Sequence, residues 1–214
     1  DASGRVSRAP EWLKELGYAA PAESMVDANL GYASRLYRRP PEHERNWRAV
    51  FIQAAPPEQP RAGIAFPVEG DRWMVTMCGG GGDYAPTREA EYFKFARSLP
   101  SGEVYNLIRR AEPLSPIVGY RRTENRWRHY ERLKAFPDGF VVLGDATCAF
   151  NPVYGQGMTT AALGAMTLHA RLRSDDRDGF SRRFQRELAR VIATPWALAT
   201  GEDLRYRTAE AAKP

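Results

Sequence analysis

The residues best suited to chemistry lie between Gly139 and Met158. Residues 140–143 form an apolar run between two glycines and predict a short strand that is buried on both faces. Gly144 ends this strand without a side chain, so a ligand could approach the backbone. Asp145 then presents a carboxylate at the carboxyl edge of the predicted sheet. Because a carboxylate only accepts hydrogen bonds, this position favours a ligand rich in hydroxyl groups.

A second glycine-rich stretch follows ten residues later. Gly155, Gln156 and Gly157 begin a predicted helix, whose free N–H groups and positive dipole end favour an electron-rich ligand edge. Small and apolar residues then recur at helical spacing and predict close packing of this helix on a sheet. These residues are Ala161, Ala162, Ala165, Met166, Leu168 and Leu172.

Taken together, these residues closely resemble the second FAD motif of the para-hydroxybenzoate hydroxylase-like family of FAD-dependent monooxygenases. The matching segments are Gly144-Asp145-Ala146, Asn151-Pro152, Gly155-Gln156-Gly157-Met158 and Ala161-Ala162. The resemblance implies that Asp145 binds the ribityl chain of FAD. It also implies that the proline and the helix start lie against the isoalloxazine ring. The cofactor-binding residues implied here are Gly144, Asp145, Pro152, Gly155, Gln156, Gly157 and Met158.

The first residues of the chain resemble a second motif of the same family. Residues 1–8 match its middle motif, which contributes to the pyrophosphate and nicotinamide-nucleotide region, although Ser3 stands where an acidic residue is usual. The resemblance implies that Arg5 and Arg8 are neighbours of a phosphate. Cys148 replaces a histidine that is frequent in the family, and we expect it to pack in the interior.

The Gly-x-Gly-x-x-Gly turn that would hold the ADP half of FAD does not occur in these 214 residues. The resemblance therefore covers the carboxy-terminal part of the family's fold and predicts that the chain is part of a longer enzyme. It implies an α/β fold of mixed α+β character, a remnant of a Rossmann-like FAD-binding layer with an inserted β-sheet substrate domain. We assign residues 1–25 and 134–214 to the FAD-binding domain and 26–133 to the substrate domain.

Local patterns predict the elements of these two parts. Alternating apolar residues on either side of a glycine-containing turn predict a hairpin over residues 64–77. Proline and glycine near their ends delimit the predicted helices, the last of which should stop before Pro195. The predicted helices cover residues 8–17, 86–98, 101–110, 155–172 and 179–193. The other predicted strands cover residues 26–37, 47–54 and 117–130.

Composition limits the other classes of function. A chain of 214 residues with 43% hydrophobic content can bury a core. It has neither an apolar run of the ~18 residues that a membrane span needs nor a signal-peptide core at its start, so we expect a cytoplasmic protein without a membrane span. The net charge of +5 comes from scattered arginines, which indicate solvated faces rather than a nucleic-acid surface.

Few other residues suggest chemistry. Two cysteines are too few for a disulfide framework or a zinc site, so we expect no metal. His43, His129 and His169 show no Ser-His-Asp or metal-binding pattern, and we expect surface or structural roles for them. The four glycines at 79–82 lack the lysine of a phosphate-binding loop and are interpreted as a strand exit.

The resemblance implies an FAD-dependent oxidoreductase in which NAD(P)H reduces the flavin. The reaction expected is a monooxygenation, a hydroxylation or epoxidation of a small organic substrate through a flavin hydroperoxide. Alternatives are a related flavin reductase, a halogenase, and a non-catalytic fragment that needs a partner chain for the ADP half of FAD. In this family the middle sheet covers the substrate cavity, but we expect any one of its large residues to be core. These residues are Tyr32, Phe51, Phe66, Trp73 and Met77. No catalytic side chain is assigned.

Overall fold

The computed structural model describes residues 1–39, 47–174 and 178–212, and it confirms the mixed α/β class. His43 lies outside these residues. The helices are α1 (Ala9–Glu15), α2 (Glu89–Arg97), α3 (Glu103–Ile108), α4 (Gln156–Leu172) and α5 (Phe180–Asp203). The strands are β1 (Glu23–Asp27), β2 (Gly31–Arg38), β3 (Val50–Ile52), β4 (Arg61–Val68), β5 (Arg72–Gly79), β6 (Val118–Tyr120), β7 (Asn125–Arg128), β8 (Cys148–Ala149) and β9 (Glu210–Ala212).

The chain divides into two units. The first unit comprises Asp1–Asp27, Glu124–Leu204 and Glu210–Pro214, and the second comprises Ala28–Thr123 and Arg205–Ala209. The first unit contains a sheet of order β8-β7-β1-β9, whereas the second contains a sheet of order β3-β4-β5-β2-β6. All strand pairs in both sheets are antiparallel.

The predicted hairpin is confirmed in the second unit. β4 pairs with β5 so that Gly63 lies opposite Met77 and Ala65 opposite Val75. This face is buried, because the small residues of β4 leave room for the helices. A Cβ atom added at Gly63 would lie 2.5 Å from Cδ1 of Leu99, so no larger residue fits there without movement.

α2 and α3 cover the buried face of this sheet, and both helices were predicted from sequence. Their buried side chains form one apolar cluster with the strands, and Trp73 and Met77 lie inside it. Phe51 and Phe66 instead stack on each other with their ring centroids 6.5 Å apart and remain partly exposed. The expected core role is therefore correct for the first pair and wrong for the second.

Two strands predicted as continuous are each divided between the units. Residues 26–37 contain a break after β1, where Asn29 adopts a φ of 50° before β2 begins. Residues 117–130 contain β6, which pairs with β2, and β7, which pairs with β1 and β8. Residues 124–133 consequently belong to the first unit rather than to the inserted sheet. Composition alone could not reveal this change of partner.

The prediction of a buried strand at 140–143 is wrong. The segment is extended, but its backbone pairs with Asp1: the Asp1 amino group donates to the Val141 carbonyl and the Leu143 N–H donates to the Asp1 carbonyl. This is a single pair of bonds rather than a ladder. Val142 is fully buried, while Val141 and Leu143 are only half-buried.

The last helix is longer than predicted, because α5 continues through Pro195. Proline removes one backbone donor and disfavours a helix interior. The helix nevertheless continues, since Ala199, Thr200 and Asp203 beyond the proline are buried. Tertiary packing thus outweighs the local signal.

α4 begins where predicted, but its buried face differs from the predicted stripe. Thr160 and Gly164 are buried, whereas Met166 is 67% exposed. Gly164 faces α5, where an added Cβ atom would lie 3.0 Å from Cδ1 of Leu188. α4 therefore packs closely on a helix through its glycine, rather than on a sheet through its alanines. Among the described residues, no helix combines the length and apolar character needed to cross a bilayer.

Candidate functional site

The turn Gly144–Ala146 begins the motif with a 3₁₀ turn. Gly144 has a φ of 64°, a left-handed conformation that glycine adopts without strain. The next residue, Asp145, is exposed, and within the described part of the chain no protein group hydrogen-bonds its carboxylate. Its acceptor atoms are therefore available to a ligand.

Arg128 of β7 supports this turn through hydrogen bonds to the backbone. Its side chain is 6% exposed, and its guanidinium donates to the carbonyls of Ala146 and Arg5 at 2.9 and 3.1 Å. Its Nε atom donates to Oε1 of Glu23 at 3.0 Å. The sequence placed this arginine on a solvated face, whereas the structure buries it with three acceptors. No local pattern signals such a role, because the acceptors come from distant segments.

Residues 147–155 connect the turn to α4. β8 pairs with β7, and the next segment makes a second 3₁₀ turn, Pro152–Tyr154. Asn151 caps the N-terminus of this turn, because its side chain accepts a hydrogen bond from the Val153 N–H at 3.3 Å. Gly155 follows with a φ of 64° and directs the chain into α4. The glycine is required because a side chain at this φ would strain the backbone.

An open cavity of about 380 Å³ lies between the turn and the start of α4. The structure brings most of the predicted residues together around it, and adds two that the site prediction omitted, Phe150 and Ala161. The lining residues are Asp145, Phe150, Pro152, Gly155, Gly157, Met158 and Ala161. Gly144 and Gln156 are neighbours of the lining in sequence but are not part of it.

Arg5 does not line this cavity. Its guanidinium donates to the carbonyls of Glu124 and Phe150 at 2.6 and 2.9 Å, and it pairs with the Glu124 carboxylate at 3.1 Å. Its side chain is 13% exposed. In this structure Arg5 supports the backbone that leads into the loop, and its implied phosphate contact stays a prediction.

Asp203, at the end of α5, lies behind the loop and was not anticipated from sequence. It is fully buried and accepts hydrogen bonds from Asn125, Asn151 and Tyr154. The pKa of Asp203 is raised to about 6: burial is the main cause and the nearby charge of Asp27 contributes, while the three donors act in the opposite direction. The desolvation of the carboxylate outweighs its hydrogen bonds.

Cys148 is buried in an apolar cluster of the first unit, as expected. Burial raises the pKa of this thiol well above its ordinary value, and the negative charge of Asp145 raises it further. The thiol is therefore protonated and poorly nucleophilic at neutral pH. Among the residues that the structure describes, no cluster of metal-ligating side chains is found.

His129 lies between Ser24 and Glu131, contrary to the expectation that no such arrangement exists. Its Nε2 atom is 2.8 Å from Oγ of Ser24, which lines an open cleft of about 580 Å³, and its Nδ1 atom is 2.7 Å from Oε1 of Glu131. A hydrolase triad has this order of groups but also needs oxyanion donors. The His129 N–H donates to the Ala22 carbonyl. Hydrogen-bonded and non-hydrogen-bonded residue pairs alternate along antiparallel strands. Since Ala22 and His129 form a hydrogen-bonded pair, Ser24 and Trp127 form the next one. The Ser24 N–H is therefore used within the sheet and does not serve as an oxyanion donor. The imidazole is therefore held between Ser24 of β1 and Glu131 of the 3₁₀ turn Tyr130–Arg132, which is a structural role.

A sequence relative, Protein Rv3254 of Mycobacterium tuberculosis (strain ATCC 25618 / H37Rv), is 29% identical over 214 residues. The match covers 99% of this chain and 45% of the relative, so the chain spans less than half of that protein's length. No protein-family model matches the chain.

Solved structures of flavin-dependent enzymes share the fold. 2-Methyl-3-hydroxypyridine-5-carboxylic acid oxygenase superposes with a TM-score of 0.60 at 15% identity, over 95% of this chain and 52% of that chain. Klebsiella pneumoniae HpxO, complexed with FAD and uric acid, gives 0.58 at 19% identity, over 95% and 49%. The flavin-dependent halogenase CmlS gives 0.57 at 16% identity, over 89% and 34%. The chain therefore shares its fold with the corresponding parts of these three enzymes.

Proposed function

We propose that this chain supplies the part of an FAD site that holds the ribityl chain and the isoalloxazine ring. The observation that carries the proposal is the exposed Asp145 carboxylate, which lies in the cavity with no protein hydrogen bond among the described residues. A carboxylate in this state is suited to accept hydrogen bonds from the hydroxyl groups of a ribityl chain.

The glycines of the cavity fit a bulky ligand. Nothing lies within 4 Å of a Cβ atom built at Gly155, so the space beside it is open. A Cβ atom at Gly157 would lie 3.8 Å from Oδ1 of Asp145, and a longer side chain there would compete with a ligand for the carboxylate. The absence of side chains at both positions lets a ligand approach the backbone.

The remaining lining divides into a polar and an apolar part. The free N–H groups at the first turn of α4 offer donors and the positive end of the helix dipole to an electron-rich edge of the ring. Phe150, Pro152 and Met158 offer apolar surface to a ring face and limit the access of water. FAD, when bound, supplies the electron transfer, and these residues orient it and set its electrostatic environment.

We infer that the whole protein is an FAD-dependent monooxygenase that takes electrons from NAD(P)H and acts on a small organic substrate. Two observations support this: the shared fold with monooxygenases, and the small organic molecule, uric acid, bound by HpxO. Since the chain spans about half of these structures, the amino-terminal FAD-binding segment would complete the site. Halogenation is a second candidate, because CmlS gives a similar TM-score.

The proposal is tested by titrating the 214-residue chain with FAD and following flavin fluorescence. Asp145→Ala should weaken binding by about tenfold or more, through loss of charge-assisted hydrogen bonds. Asp145→Asn keeps the shape of the side chain and removes its charge, so this variant separates the two contributions to binding. Asp138→Ala is the matched control, since Asp138 is exposed and does not line the cavity. Equal affinity of the native chain and Asp145→Ala would refute the ribityl role, and no binding by the native chain would show that it cannot hold the cofactor alone.

A further inference from the structure

A single buried carboxylate connects α5 to the loop that forms one wall of the cavity. Oδ2 of Asp203 accepts a bond from Nδ2 of Asn125 at 2.6 Å, and Oδ1 accepts from Nδ2 of Asn151 at 3.2 Å. The hydroxyl of Tyr154 donates to Oδ1 at 2.5 Å. The three donors come from β7 and from the two ends of the loop at residues 151–154.

The same residues also bond to one another. The Asn151 N–H donates to Oδ1 of Asn125 at 2.8 Å, which closes a ring of hydrogen bonds with Asp203. Oδ1 of Asn151 accepts from the Val153 N–H, so the Asn151 side chain bonds both within the loop and to α5. Tyr154 secures the other end of the loop immediately before Gly155. The carboxylate therefore fixes both ends of the segment that carries Pro152 into the cavity lining.

This arrangement is costly for folding, which suggests that it serves the position of the loop. Burial of the carboxylate raises its pKa to about 6, and Asp27 on β1 and Tyr154 are the titratable groups that act on it. Replacing Asp203 with an apolar residue would leave Asn125, Asn151 and Tyr154 without their acceptor. Buried charges that do not favour stability can be retained because they specify one arrangement.

We propose that Asp203 is a positioning residue for the cofactor: through Asn151 and Tyr154 it holds Pro152 and Gly155 in the arrangement that receives the flavin ring. The inference rests on the proposed function for its ligand. The contact between Asp203 and the loop is independent of any ligand. Asp203 itself does not line the cavity and acts only through the loop.

The first arm of the test uses the 214-residue chain without cofactor. Amide hydrogen exchange is measured at Asn151, Val153 and Tyr154, whose N–H groups are all hydrogen-bonded within the loop or to Asn125. Asp203→Ala should accelerate exchange at these amides by about tenfold or more, and Asp203→Asn, which keeps the shape and one acceptor, by less. If Asp203→Ala fails to fold, Asp203→Asn and Tyr154→Phe carry the test together.

Tyr130→Phe is the matched control for Tyr154→Phe. Both substitutions remove one phenolic hydroxyl from the first unit, but among the described residues the Tyr130 hydroxyl has no hydrogen-bond partner. Tyr154→Phe should accelerate loop exchange by roughly threefold to tenfold, whereas Tyr130→Phe should leave it unchanged. Unchanged loop exchange in both Tyr154→Phe and a folded Asp203 variant would overturn the positioning role.

The second arm measures FAD affinity and the visible spectrum of the bound flavin in the same variants. Asp203→Ala and Tyr154→Phe should weaken binding and alter the resolved shoulder of the flavin band, with Asp203→Asn partly restoring both. A merely structural role would lower thermal stability and leave the bound spectrum unchanged, which would contradict the proposal. If the native chain binds no FAD while loop exchange responds as expected, this chain does not hold the cofactor by itself, whereas the positioning of the loop by Asp203 stands.

Discussion

The two units bury different kinds of side chain. The second unit has an apolar interior, in which strand residues such as Val75 and Met77 pack on the inward faces of α2 and α3. Among the described residues, every buried polar or charged side chain except Thr123 lies in the first unit. The candidate cofactor site also lies there, and Arg128 and Asp203 support it in addition to the apolar cluster that contains Phe150.

This difference shows that the stability of a unit and the position of its loops depend on different kinds of interaction. Apolar burial stabilises a fold without fixing a direction, since its free energy depends mainly on the area removed from water. Hydrogen bonds in a buried network depend on distance and angle, so a fully satisfied network specifies one arrangement. A loop that must present Pro152 and Gly155 to a ligand needs the second property.

The largest loss of stability is expected from Arg128→Met. This substitution keeps the length of the side chain, but it removes the donors to Ala146 and Arg5 and leaves Glu23 without its buried cation. The free energy of unfolding should fall by about 3–5 kcal/mol in denaturant titrations, because three acceptors lose their charged donor. Arg126→Met is the control, because Arg126 is 30% exposed and its ion pairs are long, and it should cost less than about 1 kcal/mol. Equal losses in both variants would contradict a special role for Arg128.

An apolar truncation tests the second unit. Met77→Ala removes a fully buried side chain and should lower the free energy of unfolding by about 2–5 kcal/mol. Met77→Leu conserves volume and should cost less than about 1.5 kcal/mol, as measured in the same denaturant titration. We therefore expect Met77→Leu to be tolerated in the apolar core, whereas Arg128→Met, which also keeps the length of the side chain, should not be. If Met77→Leu were as damaging as Met77→Ala, the contrast between the units would be lost.

The pH dependence of stability tests Asp203. Its pKa is raised from the ordinary 3.8 to about 6 in the folded chain, so its contribution to stability is present below pH 3.8 and is lost as the pH rises through about 6. Relative to Asp203→Asn, which does not titrate, the native chain should lose about 3 kcal/mol between these limits. Thermal or denaturant unfolding of both proteins at matched pH values measures the difference. A difference that stays constant with pH would show that the pKa is not raised.

The smallest effect is expected from Gly155→Ala. The space around a Cβ atom at this position is open, so the cost comes only from the left-handed φ of 64° and should be about 1–2 kcal/mol. Gly201→Ala is the control, because Gly201 lies inside α5 with equally open space, and this change should be neutral or stabilising. Differential scanning calorimetry of the two variants gives the comparison. Stabilisation by Gly155→Ala would mean that the turn does not need glycine.

Much of the fold could be predicted because its signals are local. Alternating residues and a central Gly70 specify the hairpin of β4 and β5, and flanking residues delimit α1, α2 and α3. The candidate site could also be predicted, because Asp145, Pro152, Gly155, Gly157 and Met158 lie within 14 residues of one another. Two short turns and one helix start bring them together.

The sequence by itself thus determined the class of fold, the hairpin, most helices and five of the seven residues that line the cavity. Only the tertiary structure decided which groups support that cavity. Asp203 lies 78 residues from Asn125 and 52 from Asn151, and Arg128 reaches back 123 residues to the Arg5 carbonyl. Contacts at such separations arise from chain topology, and no local periodicity encodes them. The same reason explains why α5 continues through Pro195, where burial of residues beyond the proline outweighs a local signal to stop.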